Sequence, residues 1–457
     1  MAPSSPVAAD ARSNARGSWP YRAGRLLVRA GVGFFYRRVA VHTLEHVPPR
    51  GPAIFAATHP NSITDALVLS ACVPRRLDYV AHSGLLRRPL VGWLLRRCGV
   101  IPVYRPEDFP GPVDNSRMFA ACTAALAAGR AIGIFPEGTS HRDERVRRLR
   151  TGTARIALEA EAAADFGLGV RLVPVGLNFE APGRFRSDVV VLIGPPLAVQ
   201  AHGAAYRADP VRAVQDLTAE LQRRLGDLAL ELPQPEALPL VRSTLRLLRA
   251  RGVVPDPLVA AHTEARAVAQ ALAWAARERP SAYADYARRL EAHTRRRRRL
   301  GISDAVLARD APLPAPPSPP ALATLPLALA GAAAHVAPYR LTDWVVSRLR
   351  PDPTKEATVK FCAGAALFGL SYALQGAAAW RLWGPRGCAL YLGGITVAGL
   401  LALRWLPHWS ATWGGMRLAF LGRSGRAWLA RLRSERAALA GEARDLIEAA
   451  SRERAAW

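Results

Sequence analysis

The chain contains few cysteines, and they show none of the spacings that make cysteine useful for structure. There are five, isolated from one another along the sequence. They are Cys72, Cys98, Cys122, Cys362 and Cys388. Because no CxxC pair and no Cys/His cluster with metal-ligand spacing occurs, we predict no disulfide framework and no metal site, and we expect a reducing compartment.

Lysine is almost absent, although the protein is strongly basic. The formal net charge is +26, and among the 62 basic residues the only lysines are Lys355 and Lys360. Genome composition also produces such a bias, which weakens any inference from arginine content to nucleic-acid binding. Aromatic residues do not interleave with the basic runs, and zinc-finger, RNP and KH patterns are missing. We therefore expect no nucleic-acid partner and interpret the basic surface as one that faces anionic lipid.

The N-terminal sequence lacks the features of a secretory signal. Pro3, Pro6, Asp10 and two arginines precede the first apolar run, so residues 1–18 are interpreted as a disordered lead. Residues 19–41 interleave arginines with leucine, valine and phenylalanine. This pattern is typical of an amphipathic helix in the membrane interface, and a helix that covers the protein's own core explains it equally well.

Residues 42–235 alternate strand-like apolar runs with helical segments. The main strand-like runs are Ala53–Thr58, Gly99–Arg105, Ala131–Phe135, Leu172–Phe179 and Asp188–Gly194. The main helical segments are Ser116–Arg130, Thr153–Phe166 and Pro210–Leu225. The alternation predicts an α/β fold, a mixed and largely parallel sheet flanked by helices, with a site in the loops at the strand ends.

The composition changes after residue 235. We predict a basic helical extension over residues 236–311 and a stiff proline-rich linker over residues 312–320. A membrane region over residues 321–410 and an amphipathic tail over residues 411–457 follow. The tail is interpreted as a solvated or interfacial helix.

Two uncharged runs in the membrane region predict a helical hairpin. Phe361–Trp380 is long enough to cross about 30 Å of hydrocarbon, and Gly387–Leu403 is at the lower limit of a span. Ala321–Ala337, interrupted by Pro326, is either a third span or an interfacial segment, and buried core helices remain the alternative for these last two runs. Arginines that follow the hairpin favour the cytoplasmic side for that end. We expect an integral protein of the cytoplasmic membrane with its α/β domain on the cytoplasmic side.

A histidine and an aspartate follow the apolar run Ala53–Thr58. His59 is a candidate general base, since an ordinary imidazole titrates near neutral pH, and Asp65 is the candidate orienter of its ring. Residues six apart cannot share a face of one helix, so His59 should precede the helix that begins after Pro60-Asn61-Ser62. The competing interpretation is that Ser62 and Asp65 form a capping box with no chemistry.

Four motifs stand in order at the predicted strand ends. They are His59 with Asp65, the strand Ile101–Arg105, the turn Phe135–Ser140 with the sequence FPEGTS, and Val173–Gly176. Together they resemble the glycerolipid acyltransferase superfamily, the PlsC-like glycerol-3-phosphate and lysophosphatidic acid acyltransferases. FPEGTS matches letter for letter, and all four motifs lie within residues 53–196, about a third of the chain.

One departure from the commonest family pattern points to a subgroup. Five residues, Pro60 to Thr64, separate His59 from Asp65, where the family usually has four. The longer spacing, Asn178-Phe179, Gly194-Pro195-Pro196 and a C-terminal membrane portion resemble the glycerol-3-phosphate/dihydroxyacetone-phosphate acyltransferases. This resemblance favours the first acylation step.

The resemblance implies roles for individual residues. His59 and Asp65 would be the catalytic pair, Arg105 the first contact to the acceptor's phosphate, and Arg150, where the family often has lysine, a second contact. Pro174 would shape the acyl-donor groove. The acceptor pocket would include the turn residues Glu137, Gly138, Thr139 and Ser140. For Arg105 a surface charge, and for the FPEGTS turn an ordinary loop, remain the alternatives.

Acyl transfer from a thioester to an alcohol requires a base and fixed donors for the oxyanion, so we expect no metal or other cofactor. Because no GxSxG elbow occurs, direct attack is favoured over a serine acyl-enzyme. We predict a membrane-bound O-acyltransferase of phospholipid synthesis that uses acyl-CoA or acyl carrier protein as co-substrate and acylates the sn-1 hydroxyl of glycerol-3-phosphate. The alternatives are a lysophosphatidic acid acyltransferase and, from another class, a non-catalytic lipid-binding protein.

Overall fold

The polypeptide is organised in two units, each built around its own core, and each is described by itself. A computed structural model describes residues 19–84, 92–93, 99–104, 114–143, 145–229, 237–248, 257–299, 302, 307, 322–420 and 422–455. Unit 1 comprises residues 1–231 and 352–358, and unit 2 comprises residues 232–351 and 359–457. The predicted lead 1–18 and the predicted linker 312–320 lie outside the described residues.

A largely parallel sheet, eight-stranded over the described residues, forms the centre of unit 1. Its strands are β1 (Arg38–His42), β2 (Ala53–Ala57), β3 (Leu77–His82), β4 (Ile101–Val103), β5 (Ala131–Ile134), β6 (Arg171–Phe179), β7 (Asp188–Ile193) and β8 (Leu197–Ala198). The strand order is β1-β7-β6-β2-β5-β3-β4, with β8 beside β6. The pairs β6–β7 and β6–β8 are antiparallel, and the other pairs are parallel. The predicted mixed, largely parallel sheet is confirmed.

Helices flank this sheet. They are α1 (Trp19–Phe35), α2 (Ile63–Cys72), α3 (Ser116–Ala127), α4 (Gly152–Ala162), α5 (Gly203–Ala208) and α6 (Pro210–Leu228). Strand β2 lies between β5 and β6, and all five of its residues are buried, which explains its unbroken apolar sequence. On α6 the buried residues Ala213, Leu217, Leu221 and Leu225 recur every fourth position and so face the core.

Helix α1 packs against α2, yet part of its apolar surface remains uncovered. Val32 and Phe35 are buried, whereas Leu26 and Leu27 are 68% and 73% exposed. One side of the helix therefore covers the core of unit 1, and another exposes leucines, so the membrane-interface interpretation stays a prediction.

The regular secondary structure of unit 2 is helical over its described residues. Its helices are α7 (Leu238–Leu248), α8 (Pro257–Glu278), α9 (Pro280–Arg299), α10 (Leu325–Leu349), α11 (Glu356–Phe420, whose first three residues belong to unit 1) and α12 (Gly422–Ala455). Helices α7, α8, α9 and α12 pack against one another. Leu432, Leu439 and Leu446 of α12 are buried. The interpretation of the C-terminal tail as a solvated or interfacial helix is therefore wrong, because its apolar side is covered by other helices of the same unit.

Helix α11 consists of two antiparallel arms. Gly384 has φ 67° and ψ −173°, a conformation open mainly to glycine, and it interrupts the helix at that point. The arms are joined by the Tyr391 hydroxyl, which donates to Gln375 Oε1 at 2.8 Å, and by Tyr372 and Thr396, whose hydroxyl oxygens lie 3.1 Å apart. The turn thus falls inside the predicted connection between the two uncharged runs.

The hairpin is the part of unit 2 with the composition of a membrane segment. Within the described residues, Pro353–Trp405 is the stretch long and apolar enough to cross a membrane, by length and composition. Helix α10 contains most of the predicted run 321–337 and contacts the hairpin through His335, whose Nε2 lies 3.0 Å from the Tyr372 hydroxyl.

Candidate active site

Two neighbouring parallel strands bring the first and third motifs together. Strands β2 and β5 pair with Ala56 opposite Ile134, so their carboxyl ends lie at the same edge of the sheet. His59 follows β2, and the FPEGTS turn follows β5. The ring of His59 stacks on Phe135 with centroids 4.1 Å apart and planes at 15°. These two motifs are therefore in direct contact.

His59 and Asp65 form a hydrogen-bonded pair. His59 precedes α2, and its Nδ1 lies 2.9 Å from Asp65 Oδ2. The same carboxylate oxygen accepts the Asn61 N–H at 2.7 Å, and Asp65 is fully buried. Burial raises the pKa of Asp65, while the hydrogen bond and charge of His59 oppose that shift. The imidazole is 15% exposed, and its Nε2 has no hydrogen-bond partner among the described residues, so a substrate can reach it.

The capping-box interpretation of this stretch is wrong. Ser62 occupies the N-cap position of α2 with φ 55°, but its side chain makes no capping hydrogen bond. The Asp65 carboxylate bonds to His59 and Asn61 instead. Only the backbone bond from Asp65 N to Ser62 O, at 3.1 Å, links the two residues.

Glu137 joins the two motif turns and does not lie open to a ligand. It is buried, and its Oε1 accepts the His59 N–H at 2.9 Å. Its Oε2 accepts the Arg147 N–H at 3.1 Å and contacts His141 Nε2. Both oxygens therefore bond to protein, and the expected place of Glu137 in the acceptor pocket stays a prediction. Its carboxylate fixes the main chain of His59 relative to the FPEGTS turn.

The rest of the FPEGTS turn is closely packed but partly accessible. Gly138 has φ 76°, and a Cβ atom there would meet Arg150 Nε at 2.6 Å, so the Arg150 side chain lies directly over this glycine. The Arg150 side chain is exposed, and the backbone N–H of Arg150 donates to the backbone oxygen of Pro136 at 2.9 Å. Thr139 and Ser140 are half-buried. The structure thus brings Gly138, Thr139, Ser140 and Arg150 together.

Of the two remaining predicted residues, the structure describes only Pro174. Arg105 lies outside the described residues, so its expected phosphate contact stays a prediction. Pro174 is buried in β6 opposite Ala56 of β2, and its ring lies against Gly194. Its expected role in shaping the acyl-donor groove stays a prediction.

Three residues near the site were not singled out from the sequence. Asn61 is buried and donates to the Tyr36 hydroxyl at 3.0 Å and to Pro182 O at 3.2 Å. Burial raises the pKa of Tyr36 far above its ordinary value, so Tyr36 is a neutral phenol. Arg142 has buried Nε and Nη2 atoms without hydrogen-bond partners among the described residues. Asn61 lies inside the first motif and Arg142 directly follows the third, so their closeness to a motif in the sequence could have indicated a role for both. No sequence feature indicates a role for Tyr36.

The arrangement can perform base chemistry. It offers one accessible imidazole, backed by a buried carboxylate, beside a turn with half-buried hydroxyl groups and an exposed guanidinium group. Within the described residues no cluster of three or more histidine, cysteine, aspartate or glutamate side chains has the geometry to hold a metal ion.

Comparison with known proteins finds similarity over the segment that carries this site. Residues 38–178 match the protein-family model described as Acyltransferase. Glycerol-3-phosphate O-acyltransferase 2 of Saccharomyces cerevisiae is 31% identical over 149 residues, which are 32% of this chain and 20% of that protein. The chloroplastic 1-acyl-sn-glycerol-3-phosphate acyltransferase LPAT1 of Arabidopsis thaliana is 25% identical over 144 residues, which are 31% of this chain and 36% of that protein.

The chain spans well under two thirds of the length of these two relatives. Among solved structures, the 1-acyl-sn-glycerophosphate (LPA) acyltransferase PlsC of Thermotoga maritima aligns with 47% of this chain and 87% of its own, at 19% identity and a TM-score of 0.31.

Proposed function

We propose, from the match of residues 38–178 to the Acyltransferase family model, that the protein is a membrane-bound O-acyltransferase of phospholipid synthesis. It moves a fatty acyl group from an acyl thioester to the sn-1 hydroxyl of glycerol-3-phosphate. The observation that carries this proposal is the His59–Asp65 pair, held against the FPEGTS turn by the stacking of His59 on Phe135 and by the bond from His59 N to Glu137.

His59 is the general base in this proposal. The Asp65 carboxylate accepts a hydrogen bond from Nδ1–H, which fixes the tautomer and leaves the lone pair of Nε2 for the substrate. Nε2 removes the proton of the acceptor hydroxyl as the oxygen adds to the thioester carbonyl carbon. The tetrahedral intermediate then expels the thiolate as the C–S bond breaks, and the imidazolium returns the proton to sulfur. Asp65 stabilises the imidazolium between these two steps.

The acyl donor is a co-substrate, acyl-CoA or acyl carrier protein, and we propose no metal or other cofactor. Thioester cleavage by an alcohol balances its atoms and charges with the imidazole as the only proton carrier. A serine acyl-enzyme is not part of the proposal, because the sequence has no GxSxG elbow.

Glycerol-3-phosphate is favoured as the acceptor by the spacing and by one relative. Five residues separate His59 from Asp65, the longer form of the first motif, and the yeast relative at 31% identity is described as a glycerol-3-phosphate O-acyltransferase. A cation at the site suits a phosphate: the Arg150 side chain lies over Gly138. The second motif adds Arg105 as a candidate from the sequence alone. Lysophosphatidic acid, with the same phosphoglycerol group, is the acceptor of the competing proposal, and the Arabidopsis relative favours it.

We also propose an integral location in the cytoplasmic membrane, with the matched segment 38–178 on the cytoplasmic side. Support comes from the apolar hairpin of α11 and from the exposed leucines of α1, which are interleaved with Arg22, Arg25 and Arg29. An enzyme with an acyl-chain product gains direct access to its membrane by such anchoring.

An acceptor comparison tests this proposal. Purified full-length protein in lipid vesicles is given labelled acyl-CoA or acyl carrier protein with glycerol-3-phosphate, dihydroxyacetone phosphate or lysophosphatidic acid in parallel. We expect the fastest transfer to glycerol-3-phosphate, and the product should carry its acyl group at sn-1. Fastest transfer to lysophosphatidic acid would replace the proposal with the second acylation step. No transfer to any acceptor, with either donor, would support the non-catalytic lipid-binding protein.

A further inference from the structure

A short segment from the C-terminal half of the sequence belongs to the α/β unit. Residues Asp352–Thr358 are part of unit 1, although more than 170 residues separate them from the end of the matched domain at residue 178. Pro353–Lys355 form a 3-10 turn, and Glu356 begins helix α11. We refer to Asp352–Thr358 as the 352–358 segment.

The 352–358 segment touches both motif turns through hydroxyl groups. Ser140 Oγ donates to Thr354 Oγ1 at 3.2 Å, and Ser140 ends the FPEGTS turn. Thr358 Oγ1 lies 3.1 Å from Thr64 Oγ1, and Thr64 is the buried neighbour of Asp65. One segment thus contacts the FPEGTS turn, expected to line the acceptor pocket, and the start of α2, which carries Asp65 of the proposed catalytic pair.

A charged pair adds a third attachment. Glu356 Oε2 lies 3.8 Å from Arg142 Nη2, just after the FPEGTS turn. The same carboxylate packs against Gly183, where a Cβ atom would meet Oε2 at 2.8 Å. Three residues of the segment, Thr354, Glu356 and Thr358, therefore hold it to three different parts of unit 1.

Ser140, Thr354 and Asp352 form a chain of hydrogen bonds in which the donor and the acceptor of each bond are fixed. Asp352 Oδ1 accepts from Thr354 Oγ1 at 2.6 Å and from Thr354 N at 2.8 Å. These bonds from Thr354 lower the pKa of Asp352, so at neutral pH it is a carboxylate that can only accept. A threonine hydroxyl has one proton, and Thr354 gives it to Asp352. The oxygen of Thr354 must then accept from Ser140.

This order of donation determines what Ser140 can offer a ligand. Its proton is committed to Thr354, and its oxygen lone pairs remain. Ser140 is half-buried and stands in the turn assigned to the acceptor pocket. It can therefore accept a hydrogen bond from a ligand hydroxyl and has no proton left for a second acceptor.

We propose that the 352–358 segment is a positioning element of the acceptor site: Thr354, oriented by Asp352, holds the Ser140 hydroxyl as a hydrogen-bond acceptor for a hydroxyl group of the acceptor substrate. The inference rests on the proposed function, since a polyol such as glycerol-3-phosphate supplies the donor that this oxygen takes. Thr354 is a positioning residue that acts through Ser140.

A double-mutant cycle tests whether Thr354 acts through Ser140. The variants are Thr354→Val, which keeps the shape and removes the hydroxyl, Ser140→Ala, and the two combined, all in the full-length protein in detergent. Thr218→Val is the matched control, because the Thr218 hydroxyl donates only to Val214 O within α6. Two quantities are measured: glycerol-3-phosphate affinity by titration calorimetry, and the KM values for acceptor and acyl thioester.

We expect Thr354→Val and Ser140→Ala each to weaken glycerol-3-phosphate binding by about three- to tenfold, the effect of one hydrogen bond. The combined variant should bind no more weakly than Ser140→Ala alone. The KM for the acyl thioester should not change, Thr354→Ser should restore binding, and Thr218→Val should match the wild type.

Several results would overturn the inference. They are effects that multiply in the combined variant, unchanged binding in Thr354→Val, and equal rises in the KM values for both substrates, which a merely structural role would produce. These failures leave the proposed function intact if the wild type transfers acyl groups. Binding without transfer would refute the proposed function while the calorimetric cycle still decides the inference, and a wild type that does not bind glycerol-3-phosphate would overturn both.

Discussion

Among single residues, Asp65 is buried where a charge is unfavourable, although the proposed chemistry requires its charged form. Its carboxylate is fully buried, and Oδ1 has no hydrogen-bond partner among the described residues, while Oδ2 accepts from both His59 and Asn61. Burial of a charge is unfavourable, which is why the pKa of Asp65 is raised. The proposed chemistry nevertheless needs the charged form, since it fixes the His59 tautomer and stabilises the imidazolium.

We predict that Asp65→Asn separates activity from stability. The neutral amide cannot stabilise the imidazolium, so kcat should fall by about 10²–10⁴-fold, as in hydrolases that lose the carboxylate partner of their histidine. The free energy of unfolding at neutral pH should be unchanged or higher, because an unfavourable buried charge is removed. Transfer rates and thermal unfolding of the two proteins provide the measurement.

The raised pKa of Asp65 also predicts how the difference in the free energy of unfolding between the wild type and Asp65→Asn changes with pH. A raised pKa in the folded state means that the contribution of Asp65 to stability is fully present below its unfolded pKa of about 3.9 and is lost as the pH rises through the folded value. The wild type should therefore gain stability relative to Asp65→Asn as the pH is lowered through that window. A variant that is both inactive and strongly destabilised at neutral pH would argue that Asp65 is a structural residue.

The sequence predicted the His59–Asp65 pair because the interaction is local. Both residues lie within one strand-to-helix connection, and only the helix geometry is needed to place His59 before α2. The protein contacts of Glu137 were not predicted, for the opposite reason. Its bonds to His59 and Arg147 depend on the pairing of β2 with β5 and on the path of the loop after FPEGTS, neither of which leaves a spacing pattern in the sequence.

Among the elements, the strands were the most predictable. Strand β2 is fully buried and apolar, β6 is largely so, and the bounds of both agree closely with the predicted ones. The packing of α12 was not predictable, since an amphipathic helix has the same pattern whether its apolar side faces lipid or other helices. The attachment of the 352–358 segment to unit 1 rests on two threonines and a glutamate, which carry no motif.

The corner of the α11 hairpin yields a prediction for an element. Gly384→Ala should lower the stability of the detergent-solubilised protein by about 1–3 kcal/mol, because residues with a Cβ are strained at φ 67°, ψ −173°. Gly393→Ala is the matched control. Gly393 lies in the helical part of α11 with open space around its Cβ position, so alanine there should be neutral or stabilising. Thermal unfolding of the two variants, followed by circular dichroism, makes the comparison, and equal midpoints would contradict a strained corner at Gly384.

On the scale of the whole molecule, features of both units suit an enzyme that works on lipid. Unit 1 has the partly exposed apolar surface of α1, and unit 2 has the apolar hairpin of α11. The net charge of +26 is consistent with anionic head groups as neighbours. These features support the membrane location of the proposed activity, and the match of residues 38–178 to the Acyltransferase family model supports its chemistry.

The central claim is that His59 of the intact protein removes the proton of the acceptor hydroxyl. The most direct measurement compares acyl transfer to glycerol-3-phosphate by the wild type, His59→Ala and His202→Ala, each full-length and reconstituted in vesicles. His202 lies in the same unit, 3.8 Å from Glu220, and serves as the matched histidine control.

Loss of the base should reduce kcat in His59→Ala by at least about 100-fold, with thermal unfolding and membrane association unchanged. His202→Ala should transfer at the wild-type rate. Transfer by His59→Ala within a few-fold of the wild type would contradict the account, since another group would then have to remove the proton.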